Sequence, residues 1–200
     1  MSYDIILADP AWPYTGSTTK DAAAGKHYDL MSWSDLQQLP VRDLANKNAA
    51  LFLWGTGPLL HKQVELMKHW GFHYRGVAFV WVKTRKPDKF GNPGGIISGQ
   101  GVPPTFVKPT TEFLLAGTTC RVGRPFPILT SAMGQVVLAP REAHSKKPDV
   151  FHERLEELLG DRSRIELFAR ARREGWDTSG IELDGIDYRT GNLTGSTVTV

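Results

Sequence analysis

The sequence predicts an α/β fold with a largely parallel sheet and helices on both faces, and three observations carry this. Short apolar runs at 3–7, 49–54 and 77–82 are bounded by polar residues or glycine, as strands buried on both faces are. Between the second and third lies a segment at 58–70 in which Leu59, Val64, Met67 and Trp70 recur at near-helical spacing until Gly71 stops it. Strand, helix and strand thus alternate, which argues for parallel pairing in an α/β sheet.

The remaining elements follow in order. Residues 113–115 and 136–138 read as further short strands. Pro148 suits a first helical turn and Asp149 the positive helix end. Phe151, Leu155, Leu158 and Leu159 then form an apolar stripe that Gly160 ends. A strand is expected at 164–168. Residues 83–109 are rich in Gly and Pro, and such a long loop inside a compact domain is functional or mobile. It reads as an insertion at about 84–109 within one domain of residues 1–190. Residues 191–200, rich in Thr, Gly and Ser, read as a flexible tail.

Composition narrows the function classes. The 200 residues are 40% hydrophobic, enough for one well-buried domain. The single cysteine, Cys120, excludes a disulfide framework and a four-cysteine metal site and fits a reducing compartment. The first strand starts almost at Met1 and no 18-residue apolar run follows, so the expectation is a cytoplasmic protein with no membrane partner. The net charge of +3 says little, but its distribution says more: Lys83, Arg85, Lys86 and Lys89 cluster, and Lys108, Arg121 and Arg124 follow. Lys and Arg on Gly/Pro-rich loops suit a phosphate backbone.

The chemistry concentrates where the first strand ends, at Asp9-Pro10-Ala11-Trp12. Ligands of open α/β sheets sit at the carboxyl ends of strands. Asp9 offers a carboxylate there, Pro10 a carbonyl on a fixed backbone, and Trp12 a face for base stacking. Together they suit an exocyclic amine on a purine or pyrimidine. Trp54 and Trp81 read as core. His61, His69 and His73 resemble a ligand set, but Gly71 interrupts their helix, so no metal is expected.

Two further segments complete a pattern: His144-Ser145-Lys146-Lys147-Pro148-Asp149, and Ile165-Glu166-Leu167-Phe168-Ala169-Arg170 with Trp176 and Gly180-Ile181-Glu182 behind it. With His27-Tyr28, Leu51-Phe52-Leu53-Trp54 and Trp81-Val82-Lys83-Thr84, the whole resembles the N6-adenine methyltransferase family typified by the catalytic subunit of eukaryotic mRNA adenosine methyltransferase. Compact bacterial and phage DNA adenine methyltransferases look closer still. The resemblance implies a Rossmann-like, S-adenosyl-L-methionine-dependent methyltransferase sheet with permuted strand order, the catalytic strand early and the cofactor strand late. It implies methyl transfer to N6 of adenine in DNA, a mark that would block restriction cleavage. An RNA N6-adenosine methyltransferase and a non-catalytic nucleic-acid-binding partner are the alternative readings. By resemblance, Asp9, Pro10, Ala11 and Trp12 are catalytic. Lys147 would meet the cofactor carboxylate, Glu166 and Arg170 its ribose, Arg172 and Arg173 further ribose or carboxylate atoms, and Gly180, Ile181 and Glu182 its adenine side, with Asp9 also facing it. Trp12, His27, Tyr28, Lys83, Arg85 and Lys108 are the substrate-binding candidates. The oligomeric state stays open, a homodimer included. Two positions depart from the pattern: Ala11 stands where the family has a second proline, and Ile181 where members often have asparagine.

Overall fold

The apolar run behind Asp9 forms β1 (Tyr3–Ala8), in which Ile5, Ile6 and Ala8 are fully buried, as expected of a strand covered on both faces. The computed structural model describes residues 2–12, 31–99, 106–142, 146–185 and 193, without the side chains of 182 and 184. After β1 the described chain resumes with α1 (Trp33–Gln38), which no apolar period announced. Its signal is a capping box. The Ser32 hydroxyl accepts from the Asp35 N–H at 3.1 Å, and the Asp35 carboxylate accepts from the Ser32 N–H at 3.3 Å.

The next strands extend beyond their apolar centres: β2 (Ala45–Gly55), β3 (His73–Thr84), β4 (Thr111–Thr118) and β5 (Val136–Pro140). Between β2 and β3 the segment begins with a 3-10 turn at Gly57–Leu59 and continues as α2 (Leu60–His69). The helix after Pro148 is α3 (Val150–Leu159), with Asp149 at its N-cap. The chain closes with β6 (Arg164–Leu167), β7 (Asp177–Ser179) and the short α4 (Ile181–Asp184).

Among the described residues one mixed sheet holds seven strands in the order β5-β3-β4-β2-β1-β6-β7. β1 pairs in parallel with β2 and β6, β6 with β7, and β3 with β5. The parallel pairing expected from the strand–helix–strand alternation is present, but β2 and β3 are not themselves neighbours. The two strands run in the same direction, but β4 lies between them, antiparallel to both. A helical crossover fixes strand direction and not adjacency. It leaves a space one strand wide, and β4 returns from the long loop to fill it.

The helices cover both faces. Leu36 of α1 with Leu66 and Met67 of α2 pack on Ile6, Ala8, Leu51 and Leu53. Phe151, Leu155 and Leu159 of α3 pack on Ile5, Leu7, Phe52 and Trp54 on the opposite side. Trp54 and Trp81 are core, as expected, each meeting the Phe151 ring edge to face, with centroids 4.7 and 6.5 Å away. No helix among the described residues is long and apolar enough to cross a membrane.

This order places a switch point beside β1. The chain leaves β1 toward β2 on one side and returns through α3 to β6 on the other. The crevice outside the carboxyl ends of β1 and β6 is therefore where a ligand belongs.

Candidate functional site

At that crevice Asp9 follows the last residue of β1, and its N–H donates to the Leu167 carbonyl at the end of β6. Its carboxylate is not alone. Lys147, two residues before the N-cap of α3, donates from Nζ to Asp9 Oδ2 at 2.6 Å and lies 3.5 Å from Glu112 Oε2. Glu112 in turn accepts from Lys83 Nζ at 2.5 Å. The β3–β4 register makes this possible by setting Glu112 opposite Trp81, two residues before Lys83. Four charges, alternating in sign, thus run from Asp9 to Lys83 along the strand ends. The two ammonium groups also lie over aromatic rings, Lys147 at 5.4 Å from the Trp54 centroid and Lys83 at 5.0 Å from that of Trp81.

Burial and pairing pull these groups in opposite directions. Desolvation pushes the Asp9 carboxyl above its ordinary range, against the pull of Lys147. Burial alone would lower Lys147, but Asp9 and Glu112 outweigh it and hold the ammonium above its usual value. Glu112 is desolvated as well, yet Lys147 and Lys83 hold its carboxyl below the ordinary 4.5. A carboxylate with a lowered folded value adds stability above its unfolded value and loses it as pH falls through the folded one. Replacing Glu112 with Gln is therefore expected to flatten the acid limb of a plot of unfolding free energy against pH below about 4.5. Urea titrations across that limb check this.

Next to Asp9 opens a cavity of about 370 Å³, lined by Lys146, Lys147, His152, Glu166, Phe168 and Arg170 among others. Glu166 projects from β6 between buried Ile165 and Leu167, so its side chain faces α3. There His152 Nε2 lies 2.8 Å from Glu166 Oε2. Arg172 and Arg173 also line the cavity, but Arg173 turns toward α3, with Nε 3.4 Å from Glu156 Oε1 and Nη1 3.6 Å from Asp149 Oδ1. Phe168 takes a φ of 63°, a left-handed turn that ends β6 at the cavity wall. Strain of this kind in a residue other than glycine gathers at functional sites.

Gly180 adjoins the same turn for a steric reason. A Cβ there would collide with the Ala169 carbonyl oxygen. Gly180→Ala is expected to cost about 1–3 kcal/mol through overpacking, read as a lowered urea midpoint with an unchanged slope.

The structure brings Asp9, Lys147, Glu166, Arg170, Arg172 and Arg173 to one cavity, as the sequence expectation grouped them. Lys147 meets two carboxylates of the protein itself. Gly180 is buried beside the cavity wall, while Ile181 is 48% exposed at the start of α4. Glu182 lies in α4, with its side chain not described. Pro10 is buried beside Asp9, and Ala11 is half-buried. Trp12 corrects the expectation of an open stacking face: it is 5% exposed and stacks on Trp33, with centroids 5.3 Å apart and planes at 29°. A large apolar ring beside α1 gains more by packing than by facing water. Lys83 is engaged with Glu112, whereas Arg85, Lys86 and Lys108 are exposed. His27 and Tyr28 lie outside the described residues.

Two residues escaped the sequence reading. Glu112 stood just before an apolar triplet, and only the cross-strand register shows what it meets. His152 sits on the apolar face of α3, one turn before Leu155 and two before Leu159, where a polar residue was the available signal.

The mixed α/β sheet, with a charged cavity at its switch point beside Asp9, is Rossmann-like, and the family match makes it a methyltransferase fold. The chain belongs to the MT-A70 family, whose sequence profile matches residues 3–182. It is 31% identical over 198 residues to the Type II methyltransferase M.MunI of Mycoplasma sp, covering 90% of this chain and 78% of that protein. It is 28% identical over 186 residues to the N(6)-adenosine-methyltransferase MT-A70-like protein of Drosophila melanogaster. It is 26% identical over 186 residues to the N(6)-adenosine-methyltransferase catalytic subunit METTL3 of Homo sapiens. Those two alignments cover 92% of this chain but only 27% and 29% of the relatives.

Proposed function

We propose that the protein transfers a methyl group from S-adenosyl-L-methionine to N6 of adenine in DNA, within one domain of residues 1–190. The single observation that carries this is the Asp9 carboxylate, half-buried at the carboxyl end of β1 and opening onto the cavity at the ends of β1 and β6. The residues present fit the cofactor. About 370 Å³ lies in the range of small-molecule sites. Lys146, Arg170 and Arg172 give the cavity cations suited to a carboxylate, and Glu166 gives an acceptor suited to ribose hydroxyls. When bound, the cofactor supplies an electrophilic methyl on a sulfonium.

The chain's own groups prepare the amine. An adenine amino nitrogen is a poor nucleophile, because its lone pair is delocalised into the ring. One N–H donates to the Asp9 carboxylate and the other to the Pro10 carbonyl, which draws the nitrogen toward tetrahedral geometry and frees the lone pair. Lys147 holds Oδ2 of Asp9 and so fixes how the carboxylate faces the amine. A methyl supplied by the cofactor would leave N6 positive. Asp9, held in a desolvated setting, is placed to stabilise that charge. The methylated ammonium is acidic and loses its proton to water, so Asp9 need not act as a strong base. A base in a duplex must first leave its stack, at about a few kcal/mol.

DNA is the preferred polymer because M.MunI matches this chain over most of both lengths. The test is to incubate the protein with labelled cofactor and unmodified DNA or RNA, then digest to nucleosides. Label in N6-methyldeoxyadenosine from DNA supports the proposal. Label only from RNA, or in another nucleoside, overturns it. Neutralising exposed Arg85, Lys86, Lys89 and Lys108 is expected to reduce the salt dependence of DNA binding, by about 0.9 in the log–log slope for each phosphate that is no longer neutralised. Binding measured from 50 to 200 mM salt shows it.

A further inference from the structure

We propose that His152 is a positioning residue for cofactor binding: through its Nε2–Glu166 bond it fixes the Glu166 carboxylate so that its second oxygen serves the ligand. This deepens the cofactor reading above and rests on it. His152 is 7% exposed and lines the cavity. Its Nε2 lies 2.8 Å from Glu166 Oε2, and its Nδ1 is buried with no hydrogen-bond partner among the described residues. Among the described residues the imidazole's one polar bond is therefore to Glu166, with the donor hydrogen assigned to Nε2.

The surroundings make this placement costly unless that bond matters. The same helix face is otherwise apolar, with Phe151, Leu155 and Leu159 buried on it. An apolar side chain would pack there without leaving a buried nitrogen unsatisfied. The ring is also clamped. Trp176 meets it edge to face, at 5.1 Å between centroids and 86° between planes. Trp176 is itself fixed by donating from Nε1 to Glu156 Oε1 at 2.7 Å. Glu166 needs such support. It is held between Leu7 and Thr178 by strand register, which fixes its backbone but not its side-chain rotamer. A carboxylate fixed in advance spends no rotamer entropy when a hydroxyl arrives.

The experiment measures S-adenosyl-L-methionine and S-adenosylhomocysteine binding by calorimetry to the wild type, His152→Phe, His152→Gln, Glu166→Ala and the double variant His152→Phe/Glu166→Ala. Thermal unfolding of each establishes that it is folded, and His152→Leu replaces the phenylalanine variant if that ring crowds Trp176. The expected result is a roughly tenfold weaker Kd for His152→Phe and recovery in His152→Gln, which keeps a donor. The double variant is expected to bind no more weakly than Glu166→Ala alone, the mark of a residue acting through Glu166. If the wild type binds and His152→Phe binds equally well, or if the two losses add, the positioning role is overturned while the cofactor reading stands. If the wild type binds neither compound, the cofactor reading itself falls.

Discussion

Asp9→Asn is expected to lower methyl transfer by about 10²–10³-fold, equivalent to about 2.7–4 kcal/mol of transition-state stabilisation, while leaving the fold intact. The amide keeps the volume and one acceptor, so the amine can still dock. What it lacks is the negative charge facing the nitrogen as that atom becomes cationic. The loss of the bond from Lys147 costs some stability as well, but the protein stays folded. Lys147 keeps Glu112 as a second partner. Single-turnover transfer with saturating cofactor, set beside urea unfolding, separates the two quantities. A large rate loss in a protein that still unfolds cooperatively is the expected pair. A rate within threefold of the wild type contradicts the assignment.

Lys147→Met is expected to be the most destabilising single change at the site, by about 3–5 kcal/mol at neutral pH. The thioether matches the lysine stem but leaves Asp9 and Glu112 facing each other without the cation between them. Both carboxylates then rise in pKa, from desolvation and mutual repulsion. A raised carboxylate costs stability while ionised and returns it as pH falls through the raised value. The deficit against the wild type should therefore shrink from pH 7 to pH 5. Urea titrations at the two pH values measure this, and a deficit constant with pH would show that Lys147 acts by packing alone.

What the sequence made legible follows from where the information is local. An apolar run closed by Asp9-Pro10 specified β1 and where it ends, because burial on both faces is written into consecutive residues. The helix after Pro148 was equally plain from its stripe and its closing Gly160. The position of β4 was not, since strand adjacency is decided by pairing between distant segments and leaves no local period. Glu112 became meaningful only through that pairing. α1 and β7 are six and three residues long, too short for a periodic signal, although Ser32 and Asp35 carried a capping pattern. The cavity residues were grouped through the family resemblance. His152 was missed because a single polar residue on an apolar helix face acquires its role from Glu166, on a strand that follows it in sequence.

The central claim is that the methyl donor binds between the carboxyl ends of β1 and β6. A crystal structure with S-adenosylmethionine or its demethylated product tests it most directly. The account predicts the ligand sulfur beside Asp9 and the ribose at Glu166. Density for the ligand on any other face of the sheet, with the cavity beside Asp9 filled only by water, would contradict it.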